Sequence, residues 1–123
     1  MTKNINLSVD TLGSETSLSE IMHGLQDSLL RNENYFYFIF GFEKRIKKVL
    51  EKYKSLIGNV EIIDCSQEIL MTDKPADVVR QKNESSMFKA VQSVVDGTSD
   101  SLLSCGNTGA LMALSLLHIK TIQ

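Results

Sequence analysis

Six consecutive residues, Tyr35-Phe36-Tyr37-Phe38-Ile39-Phe40, constrain this chain more than any other stretch. Aromatic and β-branched side chains favour extended backbone. Successive side chains of a strand point to opposite faces, so this segment is apolar on both. Such a strand belongs inside a sheet that is covered on both sides, as in parallel α/β folds. The rest of the sequence must then supply neighbouring strands and two layers of cover. With 123 residues, 42% of them apolar and 23% charged, the chain has material for one domain with a real core.

The flanking segments supply that cover. Ile5 to Val9 reads as a first strand, ending in the turn-rich Asp10-Thr11-Leu12-Gly13-Ser14. Ser17-Leu18-Ser19-Glu20 has capping-box spacing. Leu18, Ile21, Met22, Leu25 and Leu29 continue it as one helical stripe, which Asn32 to Asn34 ends. After Gly41, Glu43 to Leu56 reads as a helix, with Ile46, Val49, Leu50 and Tyr53 on one face and charges on the other. Gly58-Asn59 closes it, and Val60 to Asp64 is a third strand. Pro75 fits the first position of a helix carrying Val78 and Val79. Ser85 or Ser86 caps the next, with Met87, Val91, Val94 and Val95 inward and Gly97 as its C′ residue. Ser101 to Ser104 is a short fourth strand, and Ala110 to Ile119 a largely apolar final helix. Strands separated by helices predict a mainly parallel sheet in a three-layer α/β/α sandwich, with residues 1–123 as a single unit.

In such sheets ligands sit beyond the carboxyl ends of the strands. Two loops there carry suitable residues, Asp10 to Ser14 and Cys105 to Gly109. Gly106-Asn107-Thr108-Gly109 leads from a strand into a helix. Unpaired backbone N–H groups and the helix dipole favour an anion at such a start, and glycine lets it come close. A well-capped turn without a ligand explains Asn107 and Thr108 equally. Arg80, Lys82, Ser85 and Ser86 form a second group able to bind an anion. Its plainer reading is a solvated basic pair beside a serine cap. No G-x-G-x-x-G follows the first strand and no G-x-x-x-x-G-K-[ST] occurs, which argues against dinucleotide and P-loop sites. His23 and His118 lie in helical patterns, with no carboxylate or cysteine spaced for a metal or a triad. Cys105 reads as a small buried hydrophobe at a strand end, or as a thiol activated by the helix start.

Net charge is −2, without a long charge run, so nothing suggests a nucleic-acid partner. The basic run Glu43 to Lys54 reads as a solvated helix face. The N-terminus lacks the pattern of a secretory signal, and Cys65 and Cys105 form no C-x-x-C; a reduced, cytoplasmic setting is expected. The run Ala110 to Ile119 is too short to span a bilayer, which takes about 20 residues.

Three stretches carry a resemblance: INLSVDTLGSE, TDKPADVVRQKNESSMFKAV and SLLSCGNTGALMA. Together they resemble the PlsX family, the bacterial phosphate acyltransferases. The likeness runs over the whole chain and corresponds to the N-terminal part of that family. It implies a fold similar to the phosphate acetyltransferases and the isocitrate and isopropylmalate dehydrogenases. It implies transfer of a fatty acyl group from acyl carrier protein to inorganic phosphate, giving acyl phosphate for phospholipid synthesis, with neither metal nor other cofactor. It implies a homodimer in the full-length protein, cytoplasmic and peripheral to the membrane through segments outside this chain. The matching positions Asp10, Gly13, Arg80, Lys82, Ser85, Ser86, Gly106, Asn107, Thr108 and Gly109 become candidates for holding phosphate or substrate. Ser14 and Glu15 depart from the family's D-x-M-G-G-D loop. The resemblance also implies a truncated chain, inactive alone, with faces left exposed along Leu111 to Ile119. A non-catalytic remnant that keeps an anion site is the alternative from another class, and acetyl transfer from coenzyme A the alternative among enzymes.

Overall fold

The computed structural model describes residues 4–13 and 16–118. Four strands appear: β1 (Ile5–Asp10), β2 (Tyr35–Gly41), β3 (Val60–Asp64) and β4 (Ser101–Ser104). Five α-helices join them: α1 (Leu18–Arg31), α2 (Glu43–Leu50), α3 (Pro75–Gln81), α4 (Ser86–Val95) and α5 (Thr108–His118). A 3-10 helix, Lys54–Asn59, precedes β3.

All pairings are parallel, in the order β3-β2-β1-β4. β2 is therefore interior, as its two apolar faces require. Tyr37 and Ile39 enter a core with Val9, Met22, Leu25, Ile46, Leu50 and Leu56, under α1 and α2. Phe40 turns to the opposite face, with Cys65, Ala90 and the half-buried Phe38 and Ile63. There α3, α4 and α5 add Val78, Met87, Val91, Ala110 and Leu114. The three layers follow from that alternation. Each fully buried side chain such as Ile39 or Met22 contributes roughly 1.5–3 kcal/mol.

Local chemistry sets most boundaries. Ser17 accepts from the Glu20 amide at 3.2 Å and starts α1. The Tyr37 hydroxyl donates to the Leu25 carbonyl at 3.1 Å, which settles its one polar atom inside the core. Ser85, not Ser86, caps α4, accepting from Phe88 N at 3.1 Å. Gly97 follows α4 with φ of 84°, as a C′ residue does.

Three expectations need correction. The helix expected through Leu56 stops at Leu50, where tight bonds from Lys52 N to Val49 O and Tyr53 N to Leu50 O turn the chain. At 100° per residue, a straight α-helix would carry Ile57 onto the stripe of Ile46, Leu50 and Tyr53. The tighter 3-10 winding instead buries Leu56 fully and leaves Ile57 57% exposed. Val95, expected inward, is 46% exposed, because the buried stripe of α4 runs through Met87, Ala90 and Val91 and misses its last residue. β1 runs one residue further than expected, which makes Asp10 part of the sheet. The expected end of α5 at Ile119, and Ser14 and Glu15, lie outside the described residues. Along α5, Met112, Leu116 and Leu117 are exposed while Ala110 and Leu114 are buried. Among the described residues, no helix is long and apolar enough to cross a membrane.

Candidate functional site at the carboxyl ends of β1 and β4

The chain steps from β1 outward to β2 and β3, then crosses back to place β4 on the other side of β1. Crossovers thus reverse direction between β1 and β4. In an open parallel sheet that reversal leaves a crevice at the strands' carboxyl ends. Asp10 and Ser104 end the two strands and stand opposite each other in the register.

Asp10 is the centre of this crest. It is 2% exposed and accepts three hydrogen bonds. Ser86 donates to Oδ1, Leu12 N donates to the same oxygen at 3.2 Å, and Ser104 donates to Oδ2 at 2.8 Å. Burial raises the carboxyl above the ordinary Asp value, and the nearby Glu68 adds to it. The three donors act the other way without cancelling the burial. Capping by Ser85 frees Ser86, the next residue along, to point into the sheet at Asp10.

Ser104 links Asp10 to the glycine loop. Its Oγ also accepts from Gly106 N at 3.2 Å. A Cβ on Gly106 would stand 3.1 Å from the Met87 methyl and 3.3 Å from the Leu12 carbonyl, so only glycine fits without displacement. The Asn107 side chain is fully used by the fold. Its Oδ1 accepts from Ala110 N at 3.1 Å, capping α5, and its Nδ2 donates to the carbonyls of Leu70 and Asp73 at 3.0 and 2.9 Å. The backbone N–H groups of Asn107, Thr108 and Gly109 meet no acceptor among the described residues. Thr108 and Gly109 are exposed, and Gly109 faces Pro75 at the start of α3.

The segment after β3 straps across this crest. Gly13 N donates to Glu68 Oε1 at 3.2 Å, and Gly13 itself has φ of 75° with the Ile69 carbonyl where a Cβ would be. Lys82 Nζ donates to the Glu68 carbonyl at 3.0 Å and lies 3.7 Å from the Asp73 carboxylate. Asp10, Gly13, Lys82, Ser86 and the Gly106–Gly109 loop are thus joined through hydrogen bonds and this strap. Arg80 is not part of them: it faces solvent on α3 and pairs with Asp77 at 3.5 Å. Ser85 is completely buried in its capping role.

Sequence reading missed Ser104, Glu68 and Asp73. Ser104 had a signal, since both strands end where the loops begin. Glu68 and Asp73 had none, because they act from an irregular segment. The thiol of Cys105 is exposed rather than buried. It follows the last residue of β4 and lines a hollow between that strand and α1. His23 pairs with Asp27 at 3.5 Å on α1, and His118 lies edge-on to Phe88, both away from the crest. Among the described residues, no cluster of three His, Cys, Asp or Glu side chains suits a metal ion.

Residues 5–123 match the family model described as fatty acid synthesis protein. The chain belongs to that family. It is 36% identical over 118 residues to a phosphate acyltransferase of Roseobacter denitrificans, covering 96% of this chain and 33% of the relative. A phosphate acyltransferase of Ruegeria pomeroyi is 37% identical over 118 residues, covering 96% and 32%. One from Ehrlichia ruminantium is 36% identical over 121 residues, covering 96% and 36%. The chain spans about a third of the length of these curated family members.

Proposed function

We propose that this chain carries the phosphate-holding crest of an enzyme that moves a fatty acyl group from acyl carrier protein to inorganic phosphate. The observation behind this reading is the set of unpaired N–H groups at Asn107, Thr108 and Gly109, at the start of α5 and beside the Asp10–Ser104 pair. Phosphate accepts from those amides and from the Thr108 hydroxyl, and Lys82, held on the strap at Glu68 and Asp73, supplies positive charge. One phosphate oxygen attacks the thioester carbonyl. The tetrahedral oxyanion collapses, the carbon–sulfur bond breaks, and the carrier leaves as its thiolate, which then takes up a proton. Acyl phosphate is the product. Orientation of the nucleophile supplies several kcal/mol of such a barrier. Asp10 is best suited to positioning: its carboxyl is held by Ser86 and Ser104, and Ser104 in turn holds Gly106.

Residues 1–123 form one α/β segment of the acting protein in this reading. The whole is a cytoplasmic homodimer, peripheral to the membrane, and these residues alone give no acyl phosphate. The test titrates inorganic phosphate into the chain and follows amide signals. Saturable shifts at Asn107, Thr108 and Gly109 at millimolar phosphate, absent with chloride at equal ionic strength, are the expected result. Unmoved signals there favour a remnant that keeps the fold without the anion site.

A further inference from the structure

Charge is unevenly spread along this chain. The twelve residues Glu43 to Lys54 hold six of its 13 Lys and Arg residues and two of its 15 Asp and Glu residues. Outside that stretch, seven cations stand against 13 carboxylates. On α2, Lys44 and Lys48 stand one turn apart on the face turned away from the buried Ile46 and Leu50, with Arg45 beside them. All three are exposed. Lys47 pairs with Glu43 at 3.0 Å, and Arg45 lies 5.0 Å over the Phe42 ring. Among the described residues, Lys44, Arg45 and Lys48 have no carboxylate within ion-pair distance. Like charges four residues apart weaken a helix, and cations in its first turn oppose its dipole. Helix α2 keeps both features. Its start also lies at the crest end of the sheet, because it follows β2 directly. There a hollow of about 170 Å³ separates Phe42 and Arg45 from Thr11, Leu12, Gly13 and Glu68. Gly13 and Glu68 are the pair that ties the first loop to the strap.

We propose that this face of α2 docks an acidic surface of the carrier protein that brings the acyl group. The proposal rests on the acyltransfer reading and adds where its macromolecular substrate lands. Three observations carry it. Positive charge is gathered on one helix of an otherwise acidic chain, which steers and orients an acidic partner toward that helix. The cations are arranged against the helix's own stability and are not neutralised within the chain, so a partner's carboxylates meet them unpaired. The face begins at the crest end of the sheet, across a hollow from the loop that follows Asp10, so a carrier resting on it holds its thioester on the side of the molecule where phosphate is bound. An anionic lipid surface is the competing occupant. Within α2 no apolar side chain is exposed to enter a bilayer, which favours the protein partner.

The test titrates holo-acyl carrier protein into the chain and follows amide signals. Saturable shifts should gather at Lys44, Arg45, Lys47 and Lys48, and Kd should rise several-fold as salt goes from about 50 to about 200 mM. Lys44→Glu combined with Lys48→Glu reverses both charges and should raise Kd about tenfold. Both side chains are exposed and glutamate matches lysine as a helix former, so the variant keeps its fold. An unchanged Kd in that variant overturns the proposal, and so do carrier shifts that fall elsewhere or nowhere. Vesicles of phosphatidylglycerol are titrated in parallel. If they shift the α2 amides and the carrier does not, the face belongs to lipid and the proposal fails. Phosphate binding at the α5 amides is read separately. Phosphate shifts without carrier binding on α2 remove the docking face and leave the crest standing. Carrier binding on α2 without phosphate shifts keeps the docking face and removes the crest reading instead.

Discussion

β1 and β2 lie side by side, from Ile5 opposite Tyr35 to Asp10 opposite Phe40, yet they do different work. β2 is apolar on both faces, with Tyr37 and Ile39 in one core and Phe38 and Phe40 toward the other. β1 matches it on the α1 face with Leu7 and Val9. On the opposite face β1 carries Ser8 and Asp10, both buried. Buried polar groups cost free energy unless they are hydrogen-bonded. Both are: Ser8 bonds Ser93 and, at 2.6 Å, Ser99, and Asp10 takes its three donors. Stability is concentrated in β2. Chemistry sits at the end of β1, where the crossover direction reverses and a crevice is available.

The largest effect expected from breaking that contrast comes from β2. Ile39→Ala removes a fully buried side chain from the centre of the α1-side core. It should cost about 2–5 kcal/mol, read from urea unfolding. In the fraction that stays folded, phosphate shifts at the α5 amides should survive, since Ile39 faces away from the crest. A loss below about 1 kcal/mol would mean that β2 is not the packing centre.

The second effect separates charge from hydrogen bonding at the end of β1. Burial holds the Asp10 carboxyl above its unfolded value, so the native state keeps this proton to higher pH. The resulting stability is fully present below the unfolded value of about 3.9 and is lost as pH rises through the native one. Asp10→Asn cannot ionise. It should be about 1 kcal/mol less stable than the parent chain at acid pH, from poorer pairing with Ser86 and Ser104, and that deficit should shrink as pH rises toward neutral. Unfolding midpoints across that range read both quantities. Parallel curves would show that the charge on Asp10 carries no cost.

The fold was legible because β2 and its neighbours have unmixed periodicities. The six-residue aromatic strand, the stripe of α1 and the cap at Ser17 each pointed to one structure. The break of the second helix was not legible, because Ile57 completes an α-helical stripe and only the packing selects Leu56. The crest was half legible. Asp10, Ser86 and the Gly106–Gly109 loop stood out as types, but the division of labour did not. Whether Ser85 or Ser86 capped α4 decided which one reached Asp10. Whether Asn107 faced a ligand or the Leu70–Asp73 carbonyls depended on a strap with no periodicity. Arg80 and Lys82, two residues apart, point to different surroundings because α3 ends between them.

The smallest effect tests the same contrast without disturbing the fold. Cys65 follows β3, and its N–H donates to the Gly41 carbonyl at the end of β2, at 2.9 Å. It is buried, and burial pushes its thiol up to about 11. Cys105 follows β4, beside the end of β1, and is exposed. The thiolate is the reactive form, so both protonation and access protect Cys65. Iodoacetamide at neutral pH should label Cys105 and modify Cys65 roughly tenfold more slowly or less. In concentrated urea the two should react alike. Equal rates in the native chain would show that the end of β2 opens as readily as the end of β1, and the division between a packing strand and a site strand would fail at the crest itself.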